Sequence, residues 1–572
     1  MTLGRTPPQD TLFHSTVRYC GGSLAPSSLY ALLHREGDRL FGDDAFADLF
    51  DDVGRFCVPP RIIATVMALQ RVEGLSDRQA VERFTYDLRW KYAAGGLDFD
   101  YPGFNHTVLV NMRARLRRSK APDRIFDAVL EVAKAAGLVG RKRVLDSTAL
   151  YDAVATEDTV TLIRHAIRGL LRALDGELAD TVRAVLKRDD DYLAAGKPLC
   201  DWDDSSAREA LVDALAADAH AALACLAGRE MSAAVKGAVA LVAAVVGQDL
   251  EEHPDGRYGI ARGVAKDRVI STVDPEARHG HKTSARGFDG YKGHIAVDPD
   301  SELITAAEVT AGNVGDARAA EALLKDVLPA VSQESESADS ERACSVPGVE
   351  PEAGASSMEA PPTETVLVTS PPSEANEAEP VRAGERVEIY GDASYGTAEL
   401  VERIEAAGGE ANIKVQAPAA AQGKLGKDAF VIDLEAGTVR CPADVLVTIR
   451  PANGGGGLAK FATHCADCPL QPNCTDAKIG RTIRVHAREA TLQRSRERQQ
   501  DPEWQSRYKR TRPKVERKLA HMMRHRHGGR RARVRGSERI RQDFSMLAAV
   551  TNLKRLAALG LAYLGGTWAC AR

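Results

Sequence analysis

An α/β architecture is predicted for this chain: a mixed sheet flanked by helices, preceded by an N-terminal helical domain and interrupted by a helical insertion and a small β-rich, cysteine-containing one. Three observations predict it. Short apolar runs of strand length, as at Lys142–Leu145 and Val387–Tyr390, alternate with segments of helical periodicity. Apolar residues at helical spacing dominate residues 1–120 and again about 155–250, with no strand signal in either. Two short β-type runs, Asp428–Leu434 and Thr438–Arg440, flank Glu435-Ala436-Gly437 as a hairpin would.

The elements follow in order. Arg61–Arg71 carries the apolar stripe Ile62, Ile63, Val66 and Leu69 after Pro59-Pro60, which suits a helix start. Gly74-Leu75 breaks that helix, and Ser76 with Gln79 forms a capping box that opens a second helix through Trp90. Helix, short Gly turn and capped helix fit a helix-turn-helix DNA reader, and equally an ordinary α-hairpin. The cations from Arg113 to Lys120 lean toward DNA. Lys142–Leu145 reads as a short buried strand ending in Asp146. Strands are expected at Arg268–Val273, Tyr291–Val297, Leu303–Val309 and Asn412–Val415, and helices at Asn313–Val327 and Thr397–Ala407. Basic helices are expected from about Arg507 onward, closing near Phe544–Leu561.

Charge is distributed unevenly. The net value is −4, yet Ala477–Leu556 holds 24 Lys or Arg against 7 Asp or Glu. A solvated helical face mixes its signs; this region reads instead as a polyanion-binding surface. Arg530, Arg531, Arg533 and Arg535, set beyond the Gly528-Gly529 break, suit a track along DNA phosphates. Conversely, Ser332–Pro380 has 11 acids and one Arg, and reads as a disordered acidic linker. No apolar run reaches the roughly 18 residues of a membrane span. The opening MTLGRTPPQD lacks the pattern of a secretory signal, so a cytoplasmic location with no membrane partner is expected.

Three acids stand where chemistry could use them. Asp146 follows a strand in RVLDSTAL, Asp392 follows another in VEIYGDASYG, and Glu516 lies on a helix in RPKVERKLAHM. Strand-end carboxylates converge on the edge of an α/β sheet where ligands bind. Two divalent ions about 3.5–4 Å apart can flank a scissile phosphodiester, and Mg²⁺ prefers such oxygen ligands. Taken singly, each acid is also compatible with a solvated surface residue, and Asp152, Asp274 and Asp316 compete. Lys282 and Lys292, in a basic, aromatic-interleaved region, are candidate DNA-backbone contacts, or part of a polar hairpin beside the site. His279 and His281 are too few for a zinc site. Cys441, Cys465, Cys468 and Cys474, with 23, 2 and 5 residues between them, are candidate ligands of one structural Zn²⁺, or plain loop thiols.

At LDSTAL, DPEARHGHK, FDGYKGHIAVD, VTAGNVGDA, GDASYG and RTRPKVE the chain resembles the DDE transposases of bacterial insertion sequences. More narrowly, it resembles those with an RNase H-like catalytic domain and an inserted β-rich segment before the catalytic Glu. The resemblance implies that Asp146, Asp392 and Glu516 are the catalytic acids and hold two Mg²⁺ (or Mn²⁺) ions. It implies cleavage at the element's ends and strand transfer into target DNA. The partners implied are double-stranded DNA, as terminal repeats and target, and a second copy of the chain, since two ends must be brought together. The family's Tyr-Arg-Glu-Lys signature is matched by Tyr508, Arg512 and Glu516, which implies a DNA role for the first two. The Lys expected seven residues after the Glu is Met523 here, with Lys518 and Arg524 nearby. Similar cysteines occur in the family's inserted segment. Two alternatives stand beside this reading: an RNase H-like nuclease that cuts without joining, and a catalytically inactive sequence-specific DNA-binding protein.

The division expected is therefore a helical DNA-binding domain at 1–120, a helical insertion at 155–255, an acidic linker at 331–385 and a β-rich insertion at 417–500. The catalytic domain is assembled from 141–154, 265–330, 386–416 and the basic helices of 501–572.

Overall fold

A computed structural model describes residues 1–5, 15–152, 154–194, 196–283, 286–329, 386–418, 423–524 and 528–570. The expected acidic linker at 331–385 lies outside the described residues.

Near the N-terminus, α1 (Pro60–Glu73) begins on a proline at its first turn and stops at Gly74, whose φ of 68° is the left-handed conformation glycine tolerates. Every residue from Ile62 to Val72 is buried, so α1 is a core element on all sides. The capping box at Ser76 forms in both directions and opens α2 (Asp77–Tyr86). After a further helix, Leu88–Ala93, comes α3 (Thr107–Arg118), which carries the basic tail.

The central sheet begins with β1 (Lys142–Tyr151) and continues with β2 (Arg278–Thr283), β3 (Arg286–Val297), β4 (Ile304–Ala311), β5 (Glu388–Gly391) and β6 (Glu410–Ile413). β1 lies between β3, its antiparallel neighbour, and β5, its parallel one. β2 and β4 both pair with β3 antiparallel, and β6 adds to β5 in parallel. This is a mixed sheet. Asp146 is not the terminal residue of its strand as expected. Pairing continues from Asp146↔Ile295 to Tyr151↔Gly290, because β3 is long enough to partner the whole of β1.

Two other expectations change. Arg268–Val273 forms no strand; its backbone groups are met by side chains instead, with Val269 bonded to Gln248 and Thr272 to Glu157. Asn313–Val327 reduces to two short turns of helix, Asp316–Ala319 and Ala320–Leu323. Asn313 is pinned to Lys266 and Asp267, and Asp316 to Ser147 and Lys292, so the start of this segment serves side-chain bonds.

The C-terminal helices are α4 (Pro502–Thr511), α5 (Pro513–Met522) and α6 (Ser537–Ala558). Pro513 separates α4 from α5, so Tyr508, Arg512 and Glu516 do not share one helix. From 530 to 535 the chain is not helical, contrary to expectation. It lies beside the end of β1, with Tyr151 N–H donating to the Arg530 carbonyl and Ala532 N–H to that of Tyr151.

Among the described residues, four hydrophobic clusters organise the chain. The largest joins the N-terminal helices, one face of the sheet and α4 to α6. The opposite face packs against the short helix at 320–323 and Ala398–Ala406. The helical insertion at 159–249 has a core of its own. So does the cysteine-containing segment, built from two small three-stranded sheets.

Candidate active site

β1 and β5 run side by side in parallel with Val144 opposite Tyr390, so two residues on, Asp146 and Asp392 stand next to each other at the sheet. Asp146 is buried within β1; Asp392 opens the turn that follows β5. Glu516 comes to the same place from the first turn of α5.

A single cation joins all three. Arg512, in the break before α5, meets Asp146 with both terminal nitrogens: Nη2 lies 2.9 Å from Oδ1 and Nη1 3.1 Å from Oδ2. Nη2 also lies 3.4 Å from Asp392 Oδ2, and Nη1 lies 3.7 Å from Glu516 Oε1. Burial works against the Arg512 charge, but the Asp146 and Asp392 carboxylates outweigh it and hold the guanidinium pKa above its ordinary value. The carboxylates are further set by the backbone: Ser147 N–H donates to Asp146 Oδ1 at 2.8 Å, and Ser394 N–H to Asp392 Oδ1 at 3.0 Å. The exposure gradient is steep. The Asp146 side chain is 10% exposed, Asp392 39% and Glu516 61%, so the cluster opens to solvent on the Glu516 side.

A buried polar layer backs this cluster. Asp316 accepts from Ser147 Oγ at 2.6 Å and from Lys292 Nζ at 2.9 Å. Burial raises the Asp316 carboxyl, but those two donors prevail and hold its pKa below the ordinary value. His294, beside Lys292 on β3, bonds to Tyr395 Oη at 3.1 Å and to Thr310 Oγ1 at 2.8 Å. Burial pushes its pKa down to about 4. Sequence reasoning left Asp316 as one competitor among several; its partners on β1 and β3 are visible only in three dimensions.

Several expected DNA-facing residues point elsewhere. Lys292 is engaged by Asp316 and the Val314 carbonyl, and Lys282 Nζ donates to the Ser147 carbonyl at 2.7 Å. Both ammonium groups thus brace the sheet beneath the acids, because each finds an acceptor on or next to β1. Tyr508 is buried, and its hydroxyl donates to the Gly391 carbonyl at 3.1 Å, one residue before Asp392. Burial lifts its pKa to about 12. Arg530, Arg531, Arg533 and Arg535 are all exposed.

The cysteines of the inserted segment face one another. Cys441, Cys465, Cys468 and Cys474, with His464, line one cavity of about 30 Å³. Burial pushes the Cys474 thiol up; Arg481 opposes that shift, and the three other thiols add to it. Among the described residues, no three His, Cys, Asp or Glu side chains stand close enough to hold a metal ion as placed.

Comparison with known families decides the class. Residues 26–115 match a transposase domain (DUF772), and residues 258–341 and 442–557 each match a transposase DDE domain. The chain belongs to the DDE transposases. Of its three candidate acids, Glu516 falls inside a matched segment, whereas Asp146 and Asp392 are brought to it by the sheet. No curated protein and no solved structure matches this transposase. Among its described residues no helix is long and apolar enough to cross a membrane.

Proposed function

We propose that this transposase cuts double-stranded DNA at the ends of its insertion sequence and joins the freed 3′-hydroxyls to target DNA, with Asp146, Asp392 and Glu516 as its catalytic carboxylates. The observation that carries the proposal is their convergence on one cation from β1, the end of β5 and α5. The order of the sheet, three antiparallel strands continued by two parallel ones, supports an RNase H-like reading of the catalytic domain. The donor set suits a hard divalent ion: the acids already surround a positive charge, and all of their ligating atoms are oxygens. Two Mg²⁺ or Mn²⁺ ions held there would supply an activated water or 3′-hydroxyl and stabilise the leaving oxygen.

The chain's own residues do the rest. Ser147 N–H and the β1 ladder hold Asp146 in place, and Asp316 with Lys292 locks the layer behind it. Tyr508 ties α4 to the backbone next to Asp392. Arg512 has the planar fork that fits a phosphate as well as a carboxylate, so backbone phosphate beside the cut is a second acceptor for it. Asp146→Asn, Asp392→Asn and Glu516→Gln should each abolish Mg²⁺-dependent cutting while DNA binding persists in a gel-shift measurement. Near-wild-type cutting by any of the three would remove that residue from the centre. A strand-transfer assay on the same DNA separates a transposase from a nuclease that cuts without joining.

Four thiols lining one cavity support the zinc reading of the cysteine segment, with Zn²⁺ drawing Cys441, Cys465, Cys468 and Cys474 together into a structural site. Metal analysis of the purified protein tests it: about one zinc per chain is expected, falling on Cys468→Ser. The pairing of two element ends calls for a homodimer on DNA, and the substrate for a cytoplasmic location.

A further inference from the structure

One surface lies apart from the acids and has no part in their chemistry. α1 is buried almost throughout, yet α2, joined to it by the three-residue turn Gly74–Ser76, buries only Ala80 and Phe84. The opposite face of α2 is open. Arg78, Glu82 and Tyr86 succeed one another at four-residue spacing and form a continuous stripe, with Arg83 alongside. Arg78, Glu82 and Tyr86 are exposed, Tyr86 to 80%, and none of the three side chains makes a hydrogen bond or ion pair among the described residues. A large aromatic and two charges held on a rigid, well-capped helix without partners are not needed for folding.

Cations gather at the start of this helix. The 530–535 segment reaches the α1–α2 turn, where Arg533 donates to the Leu75 carbonyl. Its residues alternate: Ala532 and Val534 pack on the core, while Arg531, Arg533 and Arg535 face out two residues apart. The Arg531 and Arg535 side chains have no partner among the described residues. Arg533 also lines a cleft of about 570 Å³ that begins at Ser76 and Gln79, where Arg113, Arg117 and Arg539 outnumber the carboxylates Asp77 and Asp543. Burial and then the neighbouring Arg539 lower the Arg117 pKa, with Arg113 and Arg118 adding to it and Glu538 opposing; Arg113 is paired with Asp77, whereas Arg117 donates to the neutral Gln542 amide.

We infer that α2 is the base-reading helix of this protein, entering the major groove of duplex DNA with Arg78, Glu82 and Tyr86 while the 531–535 arginines and the adjoining Arg117–Arg539 cleft grip the phosphates beside it. This rests on the transposase reading and extends it, assigning sequence choice to a surface separate from the cutting centre. The residue types suit base recognition, since arginine pairs with guanine edges, a carboxylate with cytosine amino groups, and tyrosine meets base methyls or sugar. The short turn and capped second helix provide the required projection from a buried support. A backbone track of outward arginines sets register without reading sequence.

The test uses the full-length protein and labelled duplexes taken from both flanks of its own coding sequence, beside shuffled duplexes of equal length and composition. Arg78→Ala, Glu82→Ala and Tyr86→Ala together should weaken binding to the native ends by about tenfold or more per lost base contact. Binding to shuffled DNA and the salt dependence should hardly change. Neutralising Arg531, Arg533 and Arg535 to Gln should instead weaken both duplexes alike and reduce the log–log salt slope by about 3. An unchanged preference for native ends in the α2 triple variant overturns the inference, as does equal loss on both duplexes. The catalytic reading is scored separately by Mn²⁺-dependent nicking of shuffled DNA. The α2 variant should retain that activity and Asp146→Asn should lose it, so either proposal can fail without the other.

Discussion

The N-terminal helices and the helical insertion are both all-α, yet they stand in opposite relations to the central sheet. Phe41, Trp90 and Leu109 belong to the same hydrophobic cluster as Tyr291 and Ile295 of β3 and Phe544 and Leu553 of α6. Polar links follow the same path: Arg71 is 3.1 Å from Asp543, and Arg117 is 2.9 Å from Gln542. The insertion, by contrast, satisfies itself. Its buried residues, from Val160 to Val246, pack on one another, and its outward ties sit at its root, such as Glu157 with Thr272 and Gln248 with Val269 in the segment that leads back to the sheet. Helical content therefore says little about independence. What decides it is whether an apolar surface finds its partner inside its own segment, and α1, apolar all round, cannot.

The largest test of this contrast is deletion. Removing residues 1–120 should leave no cooperatively folded sheet, whereas replacing 159–249 by a short Gly/Ser link should preserve it, as read by circular dichroism and limited proteolysis. A protected sheet in the first deletion would break the comparison. Next, Arg71→Ala removes a buried guanidinium from the partly exposed Asp543 and should cost about 1.5–3 kcal/mol in the main unfolding transition. The equivalent root contact, Arg268 with Asp249, should move only the insertion. Leu69→Ala in α1 and Leu215→Ala in the insertion each delete a fully buried side chain and should each cost about 2–5 kcal/mol. Calorimetry should place the first loss in the main transition and the second in a separate one; a single shared transition would show the two cores to be coupled.

The smallest effect concerns pH. His294 titrates at about 4 in the folded protein, where burial keeps it neutral among Asp316, Lys292, Asp146 and Lys282, against about 6.5 when unfolded. Protons therefore bind the unfolded chain first. The main transition should lose stability as pH falls below about 6.5, and this group's contribution levels off near pH 4. His294→Gln should remove that slope from the main transition and leave the insertion's unchanged. An unaltered slope would mean that other groups carry it.

Much of the site was legible locally. Asp146 and Asp392 stand out by sitting in or just after short apolar strands, and Ser76 with Gln79 by the spacing of a capping box. The polar hairpin offered as the alternative for the Lys282–Lys292 region is the form the chain takes, β2 pairing with the start of β3; its bounds were not legible because RHGHKT has no apolar alternation. Arg268–Val273 was misread for the converse reason: it is strand-like in composition, but Gln248 and Glu157 take its backbone groups before any strand can. Lys282 and Lys292 look alike when read along the chain; in the fold Lys292 is drawn in against Asp316, while Lys282 stays exposed with its ammonium on the Ser147 carbonyl.

By itself, then, the sequence determined what is written over a few consecutive residues: strand-length apolar runs, helix starts and stops, the cysteine spacing, and the candidate acids. Those features depend on backbone preference and periodicity, which act locally. The tertiary structure alone decided which charges meet. It placed Arg512 among Asp146, Asp392 and Glu516, buried Tyr508 against Gly391, and turned the arginines of 531–535 outward from a non-helical segment beside β1. Electrostatic and hydrogen-bond partners are chosen by distance in space, and residues 366 positions apart, as Asp146 and Arg512 are, acquire that distance only when the sheet and its helices close around a common core.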